Sequence, residues 1–341
     1  MQRAEMRRRE RNRTMTIREV AEIAGVSPAA VSRYLNGGSL SEAKREQIRR
    51  AIEETGYHPS AAGQMLRTGR INQIGVIVPQ INSESVGEVT AGVAEKLASS
   101  KYVMILGSCA LNEETELEYL QSMQANHVAG IILMGTAYSP SHAEAFQRCR
   151  VPLVVTGQKF PGVHCVYHDD FGAARELAGH MIARGHRHLG YIGVNEEDPA
   201  VGLERRRGVQ AAMEEAGMDP EGLVRVAGTF DPKTGETGLL QLIRQDPSMN
   251  GIICATDKIA LTTMQALKRL GRRIPEDCAV AGFDDNWAGT LSEPKLTTVH
   301  FYQKQCGTEA AAMLLDLLNN GAQTPVRQTK LGYTLVERNS I

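Results

Sequence analysis

Between residues 74 and 285 the chain alternates short apolar runs with stretches of helical periodicity, and this constrains its fold more than any other feature. The runs are IGVIVP (74–79), VMILG (103–107), GIILMG (130–135), LVVTG (153–157), HLGYIG (188–193), IICATD (252–257) and AVAGFDD (279–285), each ending in Gly or a polar residue. Helical segments separate them, among them 86–100, 113–126, 172–184, 203–216 and 258–270. Apolar strands joined by helices predict parallel sheets covered on both faces. The stretch is too long for one doubly wound sheet, so it reads as two similar α/β lobes with a cleft between them. Ligands in such sheets sit beyond the carboxyl ends of the strands. A last segment, 326–336, reads as one strand, and no heptad tail follows it.

Residues 16–36, TIREVAEIAGVSPAAVSRYLN, have a different texture. Thr16 and Glu19 form a T-x-x-E capping box that starts one helix, and Val20, Ala21, Ile23 and Ala24 supply its apolar side. Gly25 tolerates the positive φ of a tight turn. Ser27 caps a second helix and Pro28 occupies its first position, where a missing N–H costs nothing. Val31 and Leu35 face inward, leaving Ala29, Ala30, Ser32, Arg33 and Asn36 outside. Small residues at that N-terminus let it approach base edges and phosphates closely, so the pair reads as a DNA-reading helix-turn-helix. A third helix at 42–55, capped by Ser41 and stopped by Gly56, closes a small core through Ala43, Ile48, Ala51 and Ile52. The break Tyr57-His58-Pro59 and a short helical stretch from Ser60 to Arg67 follow.

These signals divide the chain into a basic disordered arm (1–15), an all-α helix-turn-helix domain (16–58), a hinge helix and linker (59–72) and a two-lobed core (73–341). The net charge of −1 hides an asymmetry: residues 1–70 carry 14 Lys and Arg against 8 Asp and Glu, and the rest carries 24 against 31. A basic head on an acidic body implies a polyanion at one end only. Met15 would serve as well as a start site, and the arm before it lacks the apolar segment of a signal peptide. Six cysteines without C-x-x-C spacing suit packed, reduced thiols in the cytoplasm, with the protein associated with the nucleoid. No apolar run reaches the roughly 20 residues of a membrane span. No Gly-rich phosphate loop, G-x-S-x-G or H-E-x-x-H is present, and His164, Cys165, His168, Asp169 and Asp170 match no zinc spacing. Neither an enzyme, a metal nor a cofactor is therefore expected.

The segments TIREVAEIAGVS, VSRYLN, GYHPSAAGQML, IGVIVP, HDDFGA, GHRHLGYIG, RRRG, ATDKIAL, GFDD and LTTV occur in this order. Together they resemble the lac repressor/galactose repressor family of bacterial transcription regulators over residues 16–341. VYHDDFGA, YIGVNEED and ICATDKIALTTM look closest to its sucrose- and trehalose-type branch. The resemblance implies a helix-turn-helix, a hinge helix and a core like a periplasmic sugar-binding protein. It also implies a homodimer on palindromic operator DNA, repressing a carbohydrate operon under a sugar or sugar-phosphate effector.

By the same likeness Pro28, Ala29 and Arg33 lie on the base-facing side of the recognition helix, and Arg33 has the fork that suits guanine. Thr16, Ser27, Ser32 and Asn36 suit phosphates, with Ser60, Gln64 and Arg67 also at the DNA. Leu66 matches the family's hinge leucine, which wedges into the minor groove. Gly63 stands where Ala is usual, and weakens the hinge helix by about 1 kcal/mol. In the core, Arg205 matches the effector-binding arginine, Asp284 an aspartate that accepts sugar hydroxyls, and Phe230 a stacking aromatic. Asp257, His168 and Asp170 are placed at strand ends near the cleft. Gly157 replaces an aspartate of the lac-type site. The basic run Arg205-Arg206-Arg207 leaves room for a phosphate, although Arg206 and Arg207 also read as a solvated helix start. A purine- or nucleoside-responsive regulator of the same fold remains an alternative, and a sugar-binding protein without DNA function a more distant one.

Overall fold

The computed structural model describes residues 15–35, 37–57, 71–321 and 324–341. Expectations for the arm, Asn36 and the hinge residues Ser60, Gly63, Gln64, Leu66 and Arg67 fall outside them. The chain forms two compact units, 1–71 and 72–341.

The first unit holds α1 (Ile17–Ile23), α2 (Pro28–Leu35) and α3 (Glu42–Thr55). The capping box is formed: Thr16 Oγ1 accepts from Glu19 N, and the Glu19 carboxylate accepts from Thr16 N at 2.7 Å. Gly25, at φ +63°, turns the chain in a conformation that penalises any Cβ. Ser27 Oγ then accepts from Ala30 N at 3.2 Å. Val20, Ala21, Ala24, Ala30, Val31, Ile48, Ala51 and Tyr57 make the core. Three expectations fail here. Ala30 is buried, because α2 turns its first-turn methyl onto this core, while Ile23 is half exposed and Ala43 exposed. Both of the latter point away from the stripe set by Val20, Ala24, Ile48 and Ala51. Ser41 stands at the N-cap of α3 without a side-chain cap bond, and Gly56 ends that helix in the left-handed region.

The second unit contains two parallel sheets. In the first, β1 (Gln73–Val78), β2 (Val103–Ser108), β3 (Gly130–Met134), β4 (Leu153–Thr156), β5 (His164–His168) and β11 (Gln328–Leu331) take the order β11-β5-β4-β3-β1-β2. Helices α4 (Glu84–Ala98), α5 (Glu113–Ala125), α6 (Pro140–Gln147) and α12 (Gln303–Asn320) accompany it. Its core runs through Ile74, Val76, Ile132, Val154, Val166 and Leu314. A Cβ on Gly92 would lie 2.0 Å from the Lys304 carbonyl oxygen, and one on Gly307 1.9 Å from that of Val89, so these glycines let α4 and α12 touch backbone to backbone.

In the second sheet, β6 (Leu189–Val194), β7 (Val224–Gly228), β8 (Gly251–Cys254) and β9 (Ala279–Ala281) run in the order β7-β6-β8-β9. It packs with α7 (Asp170–Ala183), α8 (Arg205–Glu215), α9 (Lys233–Gln245) and α10 (Asp257–Arg269), while a short α11 (Ala288–Leu291) follows β9. A pair formed by β10 (Thr298–Phe301) and β12 (Tyr333–Val336) flanks this lobe.

The chain passes between the lobes three times: from β5 into α7, from β10 into α12, and from β11 into β12. The last passage corrects the single strand expected at 326–336. Gly332 splits it, and its halves pair with β5 and β10. Five of the six free cysteines are buried and Cys149 is partly so, and burial pushes the thiols of Cys254, Cys278 and Cys306 up to about 12. Among the described residues no helix is long and apolar enough to cross a membrane.

Candidate functional site

Between the lobes lies a cavity of about 730 Å³, counting its open mouth. The ends of β1, β3 and β4 bring Pro79, Met134 and Thr156 to one wall, and Val86 and Val89 of α4 add apolar surface. The facing wall holds Asp198, Val201, Arg205, Phe230, Thr256 and Asp284. Strand carboxyl ends therefore line both sides, as parallel sheets require. This mixed polar and apolar lining at converging strand ends suits a small polar molecule.

Arg205 organises the far wall. Only 4% exposed, it donates from Nε to Asp170 Oδ1 at 2.7 Å and from Nη1 to the Ala255 carbonyl at 2.5 Å. Its guanidinium carbon lies 4.6 Å from the Phe283 ring centroid and 4.9 Å from that of Phe301. Burial works against its charge, but the carboxylates of Asp170 and Asp284 outweigh it and hold the group above its ordinary pKa. A charged planar donor is thus fixed at the cavity edge in a single orientation.

A π-helical turn, Pro199–Glu204, delivers Arg205, and Asp198 caps it by accepting from Val201 N at 2.8 Å. π-turns are rare and recur at functional sites. Asp198 also accepts from Gln158 Nε2 at 2.7 Å, and Gln158 Oε1 accepts from Ala200 N at 3.1 Å, so Gln158 bridges the lobes. Burial pushes Asp198 up to about 6. Asp284 is likewise raised to about 6, by burial first and with Arg205 opposing. Its backbone has φ 114°, a strained setting for a residue with a Cβ and one typical of functional sites. Thr156 Oγ1 is buried in the cavity wall without a hydrogen-bond partner. On the rim, Lys258 Nζ donates to the Asn82 carbonyl at 3.0 Å, and Asn286 meets Glu84, so two further contacts span the cleft.

Of the six expected effector residues, Arg205, Phe230 and Asp284 line this cavity. The other three do not. Asp257 is fully buried behind the wall, accepting from Thr298 Oγ1 at 2.6 Å and from Asn286 N at 2.8 Å. Burial raises its pKa well above the ordinary carboxylate value, and it anchors the Asp284–Asn286 loop. Asp170 orients Arg205 from behind, and with His168 it borders a second cavity on the other side of Gln158. Arg206 and Arg207 turn away, paired with Glu196 and Glu204. Sequence reasoning missed Thr156, Gln158, Asp198 and Gln303. Asp198-Pro199 carried a readable helix-start signal, Thr156 ends β4, and Gln158 lies two residues beyond it. Among the described residues no group of three or more His, Cys, Asp and Glu is arranged to hold a metal.

On α2, Pro28, Ala29 and Arg33 are exposed and Ser32 is half buried. Thr16 and Ser27 are exposed at the starts of α1 and α2, their hydroxyls engaged in the caps. The exposed face of α2 thus carries one cation and no acidic side chain.

Residues 16–60 match the family model described as bacterial regulatory proteins, lacI family, and residues 178–341 match a periplasmic binding protein-like domain. The sucrose operon repressor of Staphylococcus xylosus is 30% identical over 316 residues, which span 92% of this chain and 96% of that protein. The solved transcriptional regulator CelR–cellobiose complex is 27% identical with a TM-score of 0.74, covering 96% of this chain and 99% of that one. The lac repressor dimer bound to operator and the anti-inducer ONPF shares the fold at 21% identity, with a TM-score of 0.86 over 96% of this chain and 99% of its own. With the lacI family model matched at residues 16–60 and a relative 30% identical along nearly the whole chain, the chain belongs to the lacI family of bacterial regulatory proteins.

Proposed function

We propose that this protein is a dimeric repressor that holds a palindromic operator and answers to a neutral saccharide bound between its lobes. The fixed Arg205 carries the reading. Its charge is already matched by Asp170, and Asp198 and Asp284 stand in the same cavity. A phosphate would meet two carboxylates there, whereas sugar hydroxyls can accept from Arg205 and donate to Asp198, Asp284 and Thr156. Phe230 offers the ring face for stacking. This favours a free sugar over the sugar phosphate that the basic run left open.

In this reading residues 16–58 read DNA, with Arg33 toward guanine, Pro28 and Ala29 toward bases, and Thr16, Ser27 and Ser32 toward phosphates. Residues 59–72 form the hinge, and residues 73–341 bind effector and dimerise. Edge strand β2 leaves Val103, Ile105 and Leu106 exposed, an apolar margin that a second copy would cover. The protein binds its ligand without turning it over, and works in the cytoplasm where its operator lies. A coupling of about 1–3 kcal/mol between cleft and operator is enough to switch occupancy.

The test is a thermal-shift screen against free sugars, sugar phosphates and purines, followed by operator gel shifts with each hit. The expected result is a shift with a free sugar that changes operator retention and is lost in Phe230→Ala. A shift with purines alone, or sugar binding that leaves operator affinity unchanged, refutes the reading.

A further inference from the structure

The second cavity, about 960 Å³ including its open mouth, lies across the Gln158–Asp198 bridge from the cleft. Its walls come from Gly157–Lys159 and Tyr167–Phe171 on one side and from Pro199, Ala200 and Glu204 on the other, with Lys330 of β11 between. It therefore covers the β5–α7 passage between the lobes and the strand that leads into the β11–β12 passage. His168 lines it, 7% exposed, and Nε2 of that ring is buried without a hydrogen-bond partner. A buried, unpaired ring nitrogen is uncommon in folded proteins and calls for a partner.

We infer that this back cavity is a second ligand site, for a neutral hydroxyl-rich molecule of the sugar or polyol class. Burial holds the His168 ring toward its neutral form, in which Nε2 is either donor or acceptor. A hydroxyl satisfies both cases, whereas a fully ionised phosphate monoester group only accepts. The lining sets three carboxylates, Asp169, Asp170 and Glu204, against two ammonium groups, Lys159 and Lys330, the latter already engaged by Asp169 at 2.8 Å, so a neutral occupant suits it better than an anion. Tyr167 and Phe171 supply the apolar faces that sugar C–H groups cover.

The position makes the site regulatory. Gly157 and Gln158 border both cavities, and Asp170 of the back cavity fixes Arg205 of the front one. An occupant touching both lobes at their passages adds to whichever separation of the lobes it fits, and so changes affinity in the cleft. The site stands independently of the front-cleft reading; only this coupling rests on it.

Xylitol, glucose and glucose 6-phosphate serve as probes on the full chain. Titration calorimetry compares wild type with Ala200→Trp, which fills the back cavity, Tyr167→Leu, which removes an aromatic wall, and Phe230→Ala, which opens only the front one. Thermal midpoints confirm that each variant is folded. Xylitol affinity is expected to fall about tenfold or more in Ala200→Trp and Tyr167→Leu, and to stay nearly unchanged in Phe230→Ala. Crystals soaked in xylitol are expected to show a hydroxyl about 3 Å from His168 Nε2. The inference is overturned by xylitol and glucose binding that only Phe230→Ala weakens, by tighter back-cavity binding of glucose 6-phosphate, or by soaked crystals with no density at His168. A front cleft that binds sugar without affecting operator retention refutes the proposed function alone.

Discussion

Asp170→Asn isolates the electrostatic part of the site. The substitution keeps the side chain's size and removes its charge, leaving the Arg205 guanidinium buried against Ala255 and two phenylalanine rings. Asp170 and Arg205 are 6% and 4% exposed, and their contact is 2.7 Å, so water can replace little of what is lost. Two unit charges about 4 Å apart attract by roughly 4 kcal/mol at an effective dielectric constant near 20. Removing one member of a buried pair costs about 3–5 kcal/mol, because the other charge stays desolvated. In a unit of this size that is a fall of roughly 6–20 °C in the thermal midpoint. Urea denaturation of wild type, Asp170→Asn and the double variant Asp170→Leu with Arg205→Met reads the effect directly. The double variant removes both charges and is expected to recover most of the stability while losing the ligand response. A cost below about 1 kcal/mol for Asp170→Asn, or a double variant no more stable than the single one, would show that the pair is not an electrostatic unit.

Three further outcomes are expected. Asp198 and Asp284 have folded pKa values of about 6 against an ordinary 3.8, so between roughly pH 4 and pH 6 the folded chain holds more protons than the unfolded one. Their contribution to stability therefore falls as pH rises through that window and is level above it. The difference in thermal midpoint between wild type and Asp198→Asn or Asp284→Asn, scanned from pH 4 to pH 8, should trace this decline, and a difference that grows with pH contradicts it. Arg33→Ala should lower preference for operator over random duplex by about 1–3 kcal/mol in gel shifts with competitor DNA, and an unchanged preference removes Arg33 from base reading. Gly307→Ala drives a methyl into the Val89 carbonyl and should destabilise the core by about 1–3 kcal/mol in urea; tolerance of the methyl would mean that α4 and α12 separate easily.

Local chemistry was enough to reveal the recognition helix and most of the lobes. A capping box, a turn glycine, a Ser-Pro helix start and runs of apolar residues act over a few neighbours, and each formed as its residues demanded. The strands at 224–228 and 298–301 escaped notice because Arg225 and His300 interrupt their apolar pattern. Arg205, Phe230 and Asp284 were legible as cleft residues through family likeness, Asp284 also through its place at a strand end.

What the order of residues left open was everything that depends on which segments meet. Gly332 between two strands gives no hint that they belong to different sheets. Nor can spacing tell that Asp170 pairs with Arg205, 35 positions away, that Gln158 reaches Asp198 across 40, or that Asp257 turns inward to hold a loop instead of a ligand. Short-range propensity is written in neighbours a few residues apart; the burial that neutralises, strains or orients a polar group exists only once distant strands have closed around it.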